Sequence, residues 1–201
     1  MELFDSTKLI SSTSTRMANS VSQEHEWVRR LALRDEAAWS ELYRAYQGRI
    51  YRFAWHMCGR ATVADEVTQE TFLAFLKEHQ RFDPDRGPLL AWLLGIARYQ
   101  VLKALRAQNR EIELGEVPVE TVWEDGDIPA LRKVVLNLPE PFREVVVLCE
   151  LQELTYEEAA KIMECPVGTV RSRLSRARQM LMERMTRRST TRIEGTKVAD
   201  A

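Results

Sequence analysis

The sequence has few of the residues that brace small folds covalently or through metal. Its three cysteines, Cys58, Cys149 and Cys165, are odd in number and far apart, with neither a Cys-x-x-Cys pair nor the cysteine–histidine spacing of a zinc site. They read as free thiols in a reducing compartment. His25, His56 and His79 show no ligand spacing, and His56, Cys58 and His79 are the one grouping that folding could turn into a metal site. No metal and no cofactor is expected. Glycine is scarce at eight residues, with no phosphate-cradling loop, no Ser-His-Asp signature and no paired catalytic carboxylates in a glycine-rich setting, so an enzyme is not indicated. No apolar run approaches the roughly 18 residues of a membrane span, and Glu2 and Asp5 stand where a secretion signal would be basic and apolar. A cytoplasmic protein without membrane insertion is expected. Neither sign of charge dominates: the net charge of −1 excludes a chain that coats nucleic acid along its length, so any such role needs uneven placement of charge.

Alternating β-branched runs are also rare, whereas helical periodicity recurs over 23–33, 35–58, 63–80 and 88–107. Gly48, Gly59 and the segment Asp83-Pro-Asp-Arg-Gly-Pro88 read as turns. Residues 108–129 carry Glu111, Glu113, Glu116, Glu120, Glu124, Asp125 and Asp127 without periodicity, the signature of a linker. A second helical block follows. The expected architecture is all-α: a Ser/Thr-rich disordered extension at 1–21, a helical domain at 22–107, a flexible acidic linker at 108–129, a second helical domain at 130–186 and a loose polar tail at 187–201.

The most informative stretch is 155–178. Thr155 followed by Glu158 is a capping box, Met163-Glu164-Cys165 is a turn, and Pro166 suits the start of another helix. On that last helix Val167, Val170, Leu174, Ala177 and Leu181 share one stripe. Ser172 and Arg176 point away from it, Gly168, Thr169 and Ser175 sit beside them, and Arg171, Arg173 and Arg178 flank. Small polar residues let a helix approach base edges, and arginines pair with guanine or phosphate. The acids Glu144, Glu150, Glu153, Glu157 and Glu158 gather on the preceding two helices. This is the plan of a helix-turn-helix with a recognition helix for the DNA major groove.

Two further surfaces stand out. The helix from Pro88 has Leu90, Leu93, Leu94, Ala97, Val101 and Leu105 on one side and Trp92, Tyr99, Lys103, Arg106 and Arg110 on the other. Rings interleaved with cations suit single-stranded nucleic acid, although Trp92 and Tyr99 fit packing against a neighbouring helix equally well. On the stretch 64–79, Asp65, Glu66, Gln69 and Glu70 ring Leu73, as at the centre of a protein-binding patch.

Leu138-Pro-Glu-Pro-Phe-Arg-Glu-Val-Val-Val-Leu148, Leu154-Thr-Tyr-Glu-Glu-Ala-Ala160 and the run Cys165–Arg178 resemble region 4 of the extracytoplasmic-function (ECF) sigma factors of the sigma-70 family. Asp65-Glu-Val-Thr-Gln-Glu-Thr-Phe-Leu73, Phe82-Asp-Pro-Asp-Arg-Gly87 and Ala91-Trp-Leu-Leu-Gly-Ile-Ala97 resemble their region 2. The resemblance implies a non-enzymatic promoter-specificity subunit of bacterial RNA polymerase. Asp65, Glu66, Gln69, Glu70 and Leu73 would dock on the clamp helices of the largest subunit, and region 4 on the flap of the second-largest. Phe82, Arg86, Trp92, Tyr99, Lys103 and Arg106 would hold the opened −10 element, with a flipped base accepted near the Phe82–Gly87 loop. Thr169, Arg171, Ser172, Arg173, Ser175, Arg176 and Arg178 would read the −35 element, and the acidic linker would thread toward the RNA exit path. Some members carry Asn where this chain has Tyr99, whose ring stacks instead of offering amide hydrogen bonds. Many members are held inactive by an anti-sigma factor, often membrane-bound, and the resemblance admits such a partner here. A stand-alone regulator whose N-terminal half senses a ligand fits the helix-turn-helix alone, but gives no reason for the aromatic–cation face or for the patch around Leu73.

Overall fold

The computed structural model describes residues 22–113 and 127–197, with side chains over 22–107 and 132–184. The extension, the central linker stretch 114–126 and residues 198–201 lie outside the described residues. The fold is all-α, with no strand among the described residues. Helix α1 covers residues 22–32. Then come α2 (Glu36–Cys58), α3 (Ala61–Glu78), two short 3₁₀ turns (His79–Arg81 and Pro84–Arg86) and α4 (Leu89–Glu113). The second half holds α5 (Asp127–Leu136), α6 (Glu140–Val146) running into a π turn (Val147–Leu151), α7 (Tyr156–Ile162) and α8 (Val167–Lys197).

Asp35 starts α2 by accepting from the amides of Ala37 and Ala38, and Gly59 ends it in the left-handed conformation, φ 76°. Leu136 of α5 would lie 3.1 Å from a Cβ at position 59, so glycine there also makes room for the second half. Gly48, expected at a turn, lies inside α2. One glycine costs a helix about 1 kcal/mol, and the buried Leu42, Ile50, Phe53 and Met57 around it outweigh that. Helix α4 likewise runs to Glu113, past the expected boundary near Ala107, and α5 begins at Asp127 inside the expected linker.

An aromatic chain ties the first half together. Trp39 of α2 meets Phe72 and Phe75 of α3, and Phe75 meets Trp92 of α4 edge-on at 5.6 Å. One buried carboxylate does the same for the helix ends. Glu24 of α1, 3% exposed, accepts the Tyr46 hydroxyl at 2.7 Å and the Leu89 amide at 2.9 Å. It therefore joins α1 to α2 and places negative charge at the N-terminus of α4, where the helix dipole favours it. Burial, with the carboxylate beside it, pushes the Tyr46 hydroxyl far above its ordinary pKa.

The two halves meet each other, and buried apolar side chains of both belong to one cluster. The joint is built on helix C-termini. Arg132 of α5 donates to the Gly59 carbonyl at 3.0 Å and lies over the Trp55 ring, and Arg143 of α6 donates to the Met57 carbonyl. In the other direction Arg49 of α2 donates to the carbonyl and side chain of Gln152, at the end of the π turn. Unpaired carbonyls and negative dipole ends on both sides thus receive guanidinium groups from the opposite half. Glu144, one of the acids on the helices preceding α8, is 3% exposed and receives Arg98 of α4 across the joint. Burial pushes its carboxyl above the usual range, while Arg98 draws it back.

Glu24→Ala leaves the Tyr46 hydroxyl and the Leu89 amide unpaired in the interior. It should cost about 2–3 kcal/mol, read as a lowered urea midpoint at unchanged m-value.

Candidate nucleic-acid interface

The helix-turn-helix forms as its sequence dictates. Thr155 and Glu158 make both bonds of the capping box: the Thr155 amide donates to the Glu158 carboxylate at 2.8 Å, and the Glu158 amide to the Thr155 hydroxyl at 3.2 Å. The turn passes through Glu164 in the left-handed region, φ 52°. Pro166 stands just before α8, and its carbonyl takes the first helical amides, from Thr169 and Val170. Val170, Leu174 and Ala177 are buried, with Val167 and Leu181 half-buried beside them.

The opposite face of α8 is open. Ser172, Ser175, Arg176, Arg171 and Arg178 are exposed, while Thr169 and Arg173 are half-buried. The arginines differ in their partners. Arg178 is clasped by Glu150 of the π turn through Nε, at 3.1 Å, and Nη2. Arg171 lies 5.8 Å over the Tyr156 ring and 3.9 Å from Glu157. Arg176 projects into solvent, with neither a carboxylate nor a ring on it among the described residues. Two cations of the face thus have acids from the preceding helices beside them, and the third, Arg176, is open to solvent.

Helix α4 presents the second surface. Leu93, Leu94, Ala97 and Val101 are fully buried, with Leu90 nearly so. Tyr99 is 66% exposed, and Lys103 and Arg106 are exposed on the same side. Trp92 takes an intermediate place: Phe75 meets one edge and Phe82 stacks on it at 5.3 Å, leaving part of the ring in a groove. The two rings differ: Trp92 packs on its neighbours, whereas Tyr99 is open to solvent. Phe82, expected to touch DNA, is only 8% exposed and acts as the support beneath Trp92. Asp83 accepts from the Asp85 amide at 3.0 Å and opens the 3₁₀ turn that carries the exposed Arg86 to the groove mouth. The side chain of Arg110 lies outside the described residues.

The groove has a volume of about 840 Å³. Sequence reasoning missed two of its cations, Arg81 and Arg98, because isolated charges beside an apolar stripe carry no periodic signal. It also missed the far wall, made by Glu158, Lys161 and Glu164 of the helix-turn-helix.

On α3, Asp65, Glu66, Gln69 and Glu70 are exposed around Leu73, itself 48% exposed. Leu76, one turn further on and also exposed, extends the apolar centre. No group of three or more His, Cys, Asp or Glu side chains among the described residues could hold a metal ion. The three cysteines are half-buried, and burial pushes the Cys149 thiol up to about 11. Among the described residues no helix is long and apolar enough to cross a membrane.

Known proteins share this plan. Residues 42–111 match the family model of sigma-70 region 2, and residues 129–181 that of sigma-70 region 4. The ECF RNA polymerase sigma factor SigE of Mycolicibacterium smegmatis is 33% identical, over 78% of this chain and 66% of its own length. The ECF RNA polymerase sigma-E factor of Haemophilus influenzae is 32% identical, over 77% of this chain and 90% of its own. Among solved structures, the sigma factor RpoE of Bartonella quintana, crystallised with the anti-sigma factor NepR, superposes with a TM-score of 0.66 at 26% identity. That match covers 74% of this chain and 96% of the other. With two region models matched in order and relatives matched over most of their length, this chain belongs to the ECF sigma factors, through which bacterial RNA polymerase initiates transcription at promoters.

Proposed function

We propose that this chain docks on core RNA polymerase through the α3 patch, reads the −35 element with α8 and holds the opened −10 strand on α4. The observation that carries the reading is the pairing of two unlike surfaces in one chain. One is a small-residue helix face with a solvent-directed arginine, suited to a duplex groove. The other is an exposed tyrosine with cations at helical spacing, suited to unstacked bases. On α3, Leu73 and Leu76 supply an apolar centre with an acidic rim, which fits a basic helical partner such as the clamp. The side of region 4 away from DNA would meet the flap. Each DNA surface alone is small and binds weakly, and polymerase makes the pair strong by fixing their separation. An anti-sigma partner belongs to the same reading, since the Bartonella relative is held by one.

Three substitutions separate the parts of this reading. Leu73→Asp should abolish co-purification with core polymerase while circular dichroism stays native; unchanged co-purification removes the α3 patch from the account. Arg176→Ala should cost about 1–3 kcal/mol at promoters with one particular base in the −35 element, read as relative transcript yields across a −35 library. An equal drop on every sequence would make Arg176 a phosphate contact. Tyr99→Ala should cost about 1–3 kcal/mol in holding the opened strand, read as reduced permanganate reactivity of −10 thymines, with binding to a −35 duplex fragment unchanged.

A further inference from the structure

Arg178 differs from Arg171 and Arg176 in being clasped. Its Nε, at 3.1 Å, and its Nη2 both donate to Oε1 of Glu150, 28 residues earlier in the π turn. Arg171 lies 3.9 Å from Glu157, beyond hydrogen-bond reach, and Arg176 is exposed. The clasp has its origin in the π turn, which is wound wider than an α-helix. There the Gln152 amide donates to the Val147 carbonyl and the Leu154 amide to the Leu148 carbonyl. Val147 and Leu148 are fully buried, while Glu150 comes out beside α8. Its side chain is 42% exposed and that of Arg178 55%. A pair so exposed adds little to stability, so packing alone gives no reason for it.

A guanidinium carries five N–H donors in a rigid fork. Glu150 takes the side edge, Nε and Nη2, and the end edge, Nη1 and Nη2, keeps a second pair of donors. Arg178 follows Arg171 by seven residues, two helical turns less about 20°, so both flank the open face of α8 on one side. A pair of donors there fits O6 and N7 of a guanine, or two phosphate oxygens. The carboxylate decides between them: it repels phosphate brought beside the guanidinium and leaves a neutral base edge unopposed. We propose that Glu150 is a positioning and specificity-determining residue for the −35 element, holding one edge of Arg178 so that the other pairs with a guanine. An arginine already held gives up less side-chain freedom when it pairs. An arginine already partnered by an acid also has less pull on the phosphates of other sequences. This role rests on the −35 reading above and names the device that makes one arginine of that face selective.

The test uses core polymerase assembled with the full chain, on a promoter library randomised through the −35 element. Relative transcript yields give the base preference at each position. Arg178→Ala should lower the preference for guanine at one position about tenfold, and Glu150→Ala should lower it at that same position by most of that factor. A chain carrying both substitutions should be no worse than Arg178→Ala, because the two residues act as a unit. Glu150→Gln keeps an oxygen at the same reach and should restore most of the preference. Glu157→Ala removes an equal charge beside Arg171 and should leave that position unchanged. A uniform change on every sequence with Glu150→Ala overturns the role of Glu150. So do additive losses in the double variant, no rescue by glutamine, or the same loss with Glu157→Ala. A uniform drop with Arg178→Ala makes that residue a phosphate contact and also overturns it, yet leaves the −35 reading standing where Arg176→Ala still alters base preference. If neither arginine affects any position, the −35 reading itself falls.

Discussion

Arginines seated on helix C-termini join the two halves of this molecule beside the apolar cluster that both halves share. Helix α2 ends in carbonyls that Arg132 and Arg143 cap from the second half, and the π turn ends in the Gln152 carbonyl that Arg49 caps from the first. Such contacts satisfy groups that would otherwise be buried unpaired, so each is costly to break alone.

Helix α4 shows how one element serves core and surface together. Its leucines fill the bundle, and the carboxylate of Glu24 on the Leu89 amide fixes where the helix starts. With the start fixed, the 3.6-residue repeat puts Tyr99, Lys103 and Arg106 on the outer side. Trp92 sits at the border, braced by Phe75 and Phe82 so that its remaining edge is held rigidly at the groove. On the proposed reading, a ring already held in place loses little freedom when a base stacks on it.

The features legible in the sequence were those with a short-range physical rule. The capping box at Thr155, the turn at Glu164 and the buried stripe of α8 follow from spacing alone, and all three form. The stripe Leu90 to Val101 on α4 and the polar ring around Leu73 were equally readable. What escaped were features set by distant partners. Glu144 was grouped with the other acids of its helices because nothing nearby in sequence announces Arg98. Phe82 was assigned to DNA from a motif, whereas its neighbour across the loop, Trp92, buries it. Gly48 carries a local turn signal that packing of Leu42, Ile50 and Phe53 overrides. The joint between the two halves had no local sign at all, because arginine-to-carbonyl bonds connect positions about a hundred residues apart.

The central claim is that this chain gives promoter choice to a polymerase that lacks it. Its most direct test is transcription by purified bacterial core polymerase on genomic fragments, with and without the purified chain, followed by mapping of RNA 5′ ends. The account predicts a discrete set of chain-dependent start sites that share two upstream elements at a fixed spacing. Start sites scattered as they are with core enzyme alone would contradict it.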